Sequence, residues 1–331
     1  YGLYTYNTRL TVRGNTLVSN SGGMYLDGNF PSGLDSLIED NILLNHVGAG
    51  IYLSNWYNSV ITLTGNTLAE NGTGVYLNYA NARLDNNLLV RNTDSGLAVD
   101  WYSTPILRHN TLSDNPTGIR VDRYSSISLT NTIVASSTYG ILTMDPSAVV
   151  NADHTLWHNN TWDTGSQGGG TFNRIGDVYG DPRFVGGADP WVAYHVDYDS
   201  AAIDAGRETG LGVDMDGDPR PRVPGTAPDI GADEVANRPP VADAGADQSV
   251  ETLALVTLDG SASLDPDGDY PLSYGWTQTG GPAVSFTPGL SVTTFTAPGD
   301  PAVLTFTLIV TDSLGLRSEE RRVGKECGYQ C

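Results

Sequence analysis

Apolar residues recur through the first half of the chain in short alternating triplets, each opened by a glycine. These are Gly23-Met-Tyr-Leu26, Gly50-Ile-Tyr-Leu53, Gly74-Val-Tyr-Leu77, Gly96-Leu-Ala-Val99, Gly118-Ile-Arg-Val121 and Gly140-Ile-Leu-Thr143. Eight or nine residues before each stands an Asn (Asn15, Asn41, Asn66, Asn87, Asn110, Asn131), and Asp153-His-Thr-Leu156 continues the phase. The Asn positions are spaced 26, 25, 21, 23 and 21 residues apart. Alternation over so few residues predicts short strands with one buried face. A unit of this length is too short for a helical-pair repeat or a propeller blade and lacks a leucine-rich framework. It fits one coil of a parallel β-helix, with two or three strands per coil stacked about 4.8 Å apart. In that architecture the Asn residues are expected to stack at one bend, take the left-handed conformation and hydrogen-bond from coil to coil. The glycines mark bends.

If the first and third triplet residues point inward, the middle ones form an outward column: Tyr25, Tyr52, Tyr76, then Ala98, Arg120 and Leu142. A second aromatic set follows the triplets at Trp56, Tyr57, Tyr79, Trp101, Tyr102 and Tyr124. Ring faces on such a ladder could stack on sugar rings, and Tyr25, Tyr52, Tyr76, Tyr79, Trp101 and Tyr124 are the expected substrate-binding residues. The plain structural alternative is that Tyr suits strands. A polar column runs through Asp27, Ser54, Asn78, Asp100 and Asp122. Asp100 and Asp122 should neighbour one another, sharing a proton or holding a cation such as Ca²⁺. The alternative is a solvated acidic edge.

Residues 1–175 with these repeats resemble the right-handed β-helix superfamily, which contains polysaccharide lyases and hydrolases as well as surface proteins without known activity. With Arg120 beside them, Asp100 and Asp122 resemble in outline the acid-plus-Arg surface of calcium-dependent pectate lyases. That resemblance implies a catalytic set of Asp100, Asp122 and Arg120. Hydrolase signatures are mostly missing: Asn92-Thr93-Asp94 is present, but there is no Asp-Asp pair, no Gly-His-Gly and no Lys before Lys325. The five His residues lack metal-ligand spacing.

Residues 176–236 break the period. Asp181-Pro-Arg-Phe-Val185, Ala201-Ala-Ile-Asp-Ala-Gly206, Asp214-Met-Asp-Gly-Asp-Pro-Arg-Pro-Arg222 and Asp229-Ile-Gly-Ala-Asp-Glu234 follow in order. Together they resemble the choice-of-anchor Q module, which closes β-helices on bacterial surface proteins. Closure is physically required, because an open β-helix exposes an unpaired edge. Asp214, Asp216 and Asp218 resemble the start of a calcium loop, although Gly225 stands where a twelfth-position Glu is expected. The alternative is an Asp-rich turn.

Asn237-Arg-Pro-Pro240 reads as a stiff linker. Beyond it, Val256-Thr-Leu-Asp-Gly-Ser261, Asp265-Pro-Asp-Gly-Asp269, Leu272-Ser-Tyr-Gly-Trp276 and Leu304-Thr-Phe-Thr-Leu-Ile-Val310 alternate as strands between turns. They resemble a PKD-type Ig-like sandwich over residues 237–316, with Trp276 in its core. The only Lys and both Cys residues fall in residues 317–331, and Arg317–Cys327 resembles a translated sequencing adapter. With that tail set aside as non-native, the sandwich is expected to lack its last strand.

Composition narrows the function. The whole chain carries 38 acidic against 17 basic residues, a net charge of −21, and without the tail −22, which argues against a nucleic-acid partner. No apolar run is long enough to span a membrane as a helix. Tyr1 starts in mid-repeat, so the chain is expected to be part of a larger bacterial protein, secreted or on the cell surface, and a monomer. The fold class expected is all-β, a right-handed parallel β-helix followed by a truncated sandwich. Its expected function is binding a polysaccharide or cell-surface glycan, with the PKD-like domain as spacer. The competing expectations are a calcium-dependent polysaccharide lyase, favoured over a glycoside hydrolase, and a purely structural stalk. An acidic polymer would be repelled unless Ca²⁺ bridged it to the protein; a neutral glycan needs no such help.

Overall fold

The structure is a computed structural model that describes residues 1–28, 35–55, 59–318 and the backbone of 321–327. Trp56 and Tyr57 of the aromatic set lie outside the described residues. The chain divides into two compact units, Tyr1–Val235 and Ala236–Cys331.

In the first unit the triplets become the first of three faces. Leu3–Tyr6, Met24–Asp27, Ala49–Ser54, Thr73–Asn78, Ser95–Asp100, Thr117–Val121, Tyr139–Thr143 and Trp162–Ser166 form one eight-stranded sheet. Each neighbour is parallel and in register, so Tyr25 lies beside Tyr52, Tyr52 beside Tyr76, and Ala98 beside Arg120. A second sheet carries the other two faces, and in the later coils a single ten-residue strand (Ser126–Ala135, Val149–His158) bends across both. Inward columns fill the interior. Ile51, Val75, Leu97 and Ile119 form one; Leu43, Leu68, Leu89 and Leu112 form another, all fully buried. Each such side chain contributes about 1.5–3 kcal/mol by leaving water, which is what closes a chain so rich in Gly and Asn.

Two Asn ladders, not one, pin the bends. In the first, Asn15, Asn41, Asn66 and Asn87 each donate Nδ2 to the Oδ1 of the Asn one coil on, ending at Asn110, at 3.0–3.1 Å. In the second, Asn71 donates to Asn92 and Asn92 to Asn115, with His46 in the same column. The left-handed residue is the one before each ladder Asn: Asp40, Asn86 and His109 in one column, Glu70, Arg91 and Asp114 in the other. Asn131 is therefore not a ladder residue. It has φ 50° and precedes Thr132, which takes the ladder position. The triplet glycines differ from expectation too, since none has a positive φ. A Cβ on Gly74 would lie 2.5 Å from the Gly96 carbonyl oxygen, and one on Gly96 would lie 2.8 Å from that of Gly118. Close approach of adjacent coils, not turn geometry, demands them.

Residues from 181 to 235 do not close the end of the helix. They run along its side as a strap, packing Ala193, Tyr194, Met215 and Ala232 on Ala69, Leu88 and Val90. Further along, Val196, Ala202, Ile230 and Val235 cover Ile133, Ala135 and Leu156. The outward side chains of the third face are apolar, so burying them against the strap is favourable. At the centre of the strap the Arg220 side chain, 1% exposed, meets Glu234 at 3.3 Å and donates to the Asp229, Gly231 and Ala232 carbonyls.

The second unit packs Leu255–Asp259 with Val292–Thr296 against a sheet containing Ser273–Gly280 and Ala302–Thr311. Trp276 is buried with Leu304, Phe306, Leu308 and Phe295, and its Nε1 donates to the Leu290 carbonyl, a core role. Arg321–Cys327, from the segment set aside as tail, pairs antiparallel with Ala302–Thr311 and parallel with Ser249–Val250. In this structure that edge is filled, where a missing strand was expected.

Candidate functional site

The outward tyrosines stack on each other. Tyr4, Tyr25, Tyr52 and Tyr76 lie 4.9–5.2 Å apart, centroid to centroid, with planes within 12°. Strand spacing alone sets this distance, and at that distance both faces of each inner ring are used. The column therefore offers ring edges and hydroxyls, not sugar-stacking faces. The hydroxyls are themselves engaged: Asn78 donates to Tyr52, and Tyr76 donates to Asp100 Oδ2 at 3.0 Å. Burial, reinforced by that hydrogen bond, pushes the Tyr76 hydroxyl up to about 12.

Asp100, Asp122 and Arg120 are not brought together as a set. Arg120 turns to Asp94, Nη1 to Oδ2 3.3 Å. Asp100 is buried and also accepts from the Trp101 backbone N–H, while Asp122 accepts from that of Arg123. The guanidinium near both carboxylates belongs to Arg123, 3.8 Å from Asp100 and 3.9 Å from Asp122, and it lies over the Trp101 ring at 4.9 Å. Sequence reasoning missed Arg123 because it followed strand columns, whereas this residue sits in the bend after the strand. An arginine side chain offers five donors and no acceptor, so this cluster suits holding a hydroxyl or carboxylate better than removing a proton.

The same bend carries the second aromatic set. Tyr79, Trp101, Tyr102 and Tyr124 have φ of 53°, 44°, 55° and 58°, in coils where Asn7 and Asn55 take the equivalent left-handed position earlier in the helix. Asn adopts this region readily, whereas a bulky side chain does so at about 1–2 kcal/mol. Three successive coils therefore carry strain to set aromatic residues there. Tyr79 stacks on Trp101 and Tyr102 at 5.9 and 5.8 Å, and Tyr102 on Tyr124 at 4.9 Å. Tyr102 and Tyr124 remain 53% and 56% exposed. The result is a shelf of phenol edges and hydroxyls along the helix axis, with Arg123 and Asp122 on its rim.

The suggested calcium loop does not converge on an ion. Asp214 is buried and accepts at Oδ1 from the backbone N–H groups of Asp216 and Asp218 and at Oδ2 from that of Glu234. Asp216 pairs with His195 at 2.6 Å. The turn is held by its own backbone, so the Asp-rich-turn alternative describes the geometry. Among the described residues, the triads whose ligand atoms lie within 4.8 Å of one another are His195, Asp216, Asp233 and Asp265, Asp267, Asp269. Burial works against a charged His195, but the Asp216 hydrogen bond and Asp233 override it and push the imidazole up to about 9. In the second triad Asp265 Oδ1 serves the backbone N–H groups of Asp267 and Asp269, its Oδ2 is buried without a partner, and Arg238 pairs with Asp267. Of the two, it is the better oxygen set for Ca²⁺.

Comparison with known proteins agrees with this architecture. Residues 36–174 match the family model described as right handed beta helix region, and residues 244–321 match a family model described as a PKD domain. The chain thus carries a right-handed β-helix region followed by a PKD-like domain, an all-β fold. No curated protein matches it. Among solved structures it is similar to a nucleoside hydrolase-related hypothetical protein from Saccharophagus degradans, described as associated with carbohydrate metabolism, at 24% identity and TM-score 0.24. That match covers 28% of this chain, which spans only 26% of the other protein. It is also similar to the PKD domain from KIAA 1837 protein, at 30% identity and TM-score 0.23, covering 29% of this chain and 98% of that domain. No described helix is long and apolar enough to cross a membrane.

Proposed function

We propose that this is an extracellular or cell-surface bacterial protein that holds a carbohydrate polymer along the shelf of Tyr79, Trp101, Tyr102 and Tyr124 without cleaving it. The PKD-like domain acts as spacer. The observation that carries the reading is the run of aromatic residues at one bend of three successive coils, more than half exposed at Tyr102 and Tyr124 and flanked by Arg123 and Asp122. Ring hydroxyls, Arg123 and Asp122 hydrogen-bond the polymer, and ring edges pack on its apolar C–H groups. The column of Tyr25, Tyr52 and Tyr76 supports the shelf and is not a stacking surface. A neutral glycan is preferred; with the chain at −21, an acidic one needs Ca²⁺ as a bridge. In the same reading residues 176–236 are a choice-of-anchor Q-type segment, supported by the order of its four blocks. Residues 317–327 are translated adapter sequence, supported by the confinement of Lys and Cys to the tail.

The test is a panel of neutral and acidic polysaccharides, with Ca²⁺ or with chelator, read by affinity electrophoresis and by new reducing ends and unsaturated uronate absorbance. Retention by a glycan without product is expected. Calcium-dependent product lost in Arg120→Ala would replace this reading with a lyase using Asp100, Asp122 and Arg120. Silence in every assay would leave a structural stalk.

A further inference from the structure

The shelf repeats at a fixed interval. Its coils pair parallel and in register, Asn78 beside Asp100 and Val99 beside Val121. Within the shelf itself the Tyr79 backbone N–H donates to the Trp101 carbonyl and that of Tyr102 to the Arg123 carbonyl. Both Asn ladders tie the same coils at their other bends, through Asn87 and Asn110 in one and Asn92 and Asn115 in the other. The interval is therefore the strand spacing, about 4.8 Å. The Tyr102 and Tyr124 rings show it directly, 4.9 Å apart with an interplanar angle of 11°. A surface held this way does not stretch to suit a ligand, so the ligand must bring a matching repeat.

Two adjacent coils present a free polar group in the same place. Stacked rings turn their edges to solvent, and among the described residues nothing hydrogen-bonds the Tyr102 or Tyr124 hydroxyl, whereas those of Tyr52 and Tyr76 are engaged. The two hydroxyls follow one another along the helix axis, so a polymer that bonds both runs the same way. The Arg123 guanidinium is already offset by Asp100 and Asp122, 3.8 and 3.9 Å away, and a net charge of −21 repels polyanions. The polymer that fits is therefore neutral, and its linkage decides the match. A hexose joined through equatorial bonds at opposite corners of its ring is entered and left at opposite ends. Such a chain stays extended and advances by nearly one ring length per sugar, close to one coil. Successive rings are turned over, but both edges of a hexose carry hydroxyls, and every coil meets one. An axial bond at the anomeric carbon, or a link to a nearer corner, bends the chain at each sugar and shortens its advance. A mismatch of only about 1 Å per sugar puts the third sugar about 2 Å out of place, beyond the range of a hydrogen bond.

We propose that the shelf selects extended, β-1,4-linked neutral hexose polymers of the glucan or mannan type, taken up along the helix axis with one sugar per coil. The inference rests on the shelf as the glycan site and adds the linkage to it. Tyr102 and Tyr124 each bond a hydroxyl of their own sugar, Tyr79 continues the row, and Arg123 and Asp122 bond hydroxyls from the rim.

Isothermal titration of the full chain with cellohexaose, mannohexaose, maltohexaose and laminarihexaose tests this. The first two are extended and β-1,4-linked; maltohexaose has the axial link and laminarihexaose the link to a nearer corner. Cellohexaose or mannohexaose should bind at least about tenfold more tightly than the other two, the scale of one or two hydrogen bonds kept in register. Tyr102→Phe and Tyr124→Phe each remove one hydroxyl and keep the ring stack. Each should weaken the preferred oligomer about three- to tenfold and leave the weaker ligands unchanged. Equal affinity for all four, tighter binding of maltohexaose or laminarihexaose, or equal weakening of every oligomer in the Phe variants would overturn the inference and leave the shelf standing as a glycan site. No binding of any oligomer overturns it too; retention or loss of the polysaccharide panel then decides separately whether the shelf itself stands.

Discussion

Asn87 is the clearest place to measure what the first ladder contributes. Its fully buried side chain makes five hydrogen bonds: Oδ1 accepts from the backbone N–H and Nδ2 of Asn66, and Nδ2 donates to the Leu63 and Asp85 carbonyls and to Asn110 Oδ1. Asn87→Leu keeps the branching of the side chain, replaces its amide by two bulkier methyl groups and removes all five. The Asn66 side chain retains the Ile38 and Thr64 carbonyls, so its loss is partial. The Asn66 backbone N–H has only Asn87 Oδ1 and is left without a partner. The Asp85 carbonyl keeps the Gly65 N–H, so one orphaned buried N–H and the weakened Leu63 carbonyl, at about 1–3 kcal/mol each, predict a loss of about 2–6 kcal/mol. Coils of a solenoid open semi-independently, so the assay is amide hydrogen exchange resolved by peptide. Opening free energy should fall by about that amount across residues 61–115 and stay unchanged in Ser273–Gly280 and Ala302–Thr311. A loss below about 1 kcal/mol, or one spread evenly over both units, would refute the ladder as a tie between neighbouring coils.

Two further predictions concern the strap. Arg220→Met takes the guanidinium from Glu234 and one donor from each of three carbonyls in a buried site, and should destabilise the strap by about 3–5 kcal/mol, read as faster proteolysis between residues 187 and 235. The strap should also lose stability as pH rises: burial pushes Asp233 and Glu234 up to about 7, and His195 is raised to about 9. The folded state then holds more protons than the unfolded one, so the contribution is complete below about pH 4, and is lost between about pH 4 and 7 for the two carboxyls and between about pH 6.5 and 9 for His195. Hydrogen exchange of strap peptides at pH 5, 7 and 9 checks this, and Glu234→Gln should flatten the part below about pH 7.

The solenoid could be read from sequence because inward positions repeat in fixed phase with the glycines, and one alternating triplet suffices to set the register of a coil. Ladder identity was less legible. Asn131 fits the spacing, but the later coils fuse two faces into one strand and move the ladder position to Thr132. The second ladder was present in the sequence as the recurring pairs Asn66 and Asn71, Asn87 and Asn92, Asn110 and Asn115, and the single-Asn pattern passed over it. The strap's course along the side depends on outward apolar residues such as Leu88, Val90 and Ile133, whose signal merges with the inward ones in a three-residue strand. At the site, column placement located Asp100, Asp122 and the aromatic residues. It could not show that parallel in-register rings use up each other's faces, nor that Arg120 turns to Asp94 while Arg123 takes its expected place.

The central claim is that the shelf holds a glycan through ring hydroxyls and edges. Its most direct test compares retention of the parent chain, Tyr102→Phe, Tyr124→Phe and the double Tyr102→Ala, Tyr124→Ala variant on the glycan gel that best retains the parent. The account predicts weakening of about three- to tenfold for each Phe variant, the scale of one hydrogen bond, and loss of retention in the double Ala variant. Full retention by the double variant, or glycan breakdown by the parent chain, would contradict it.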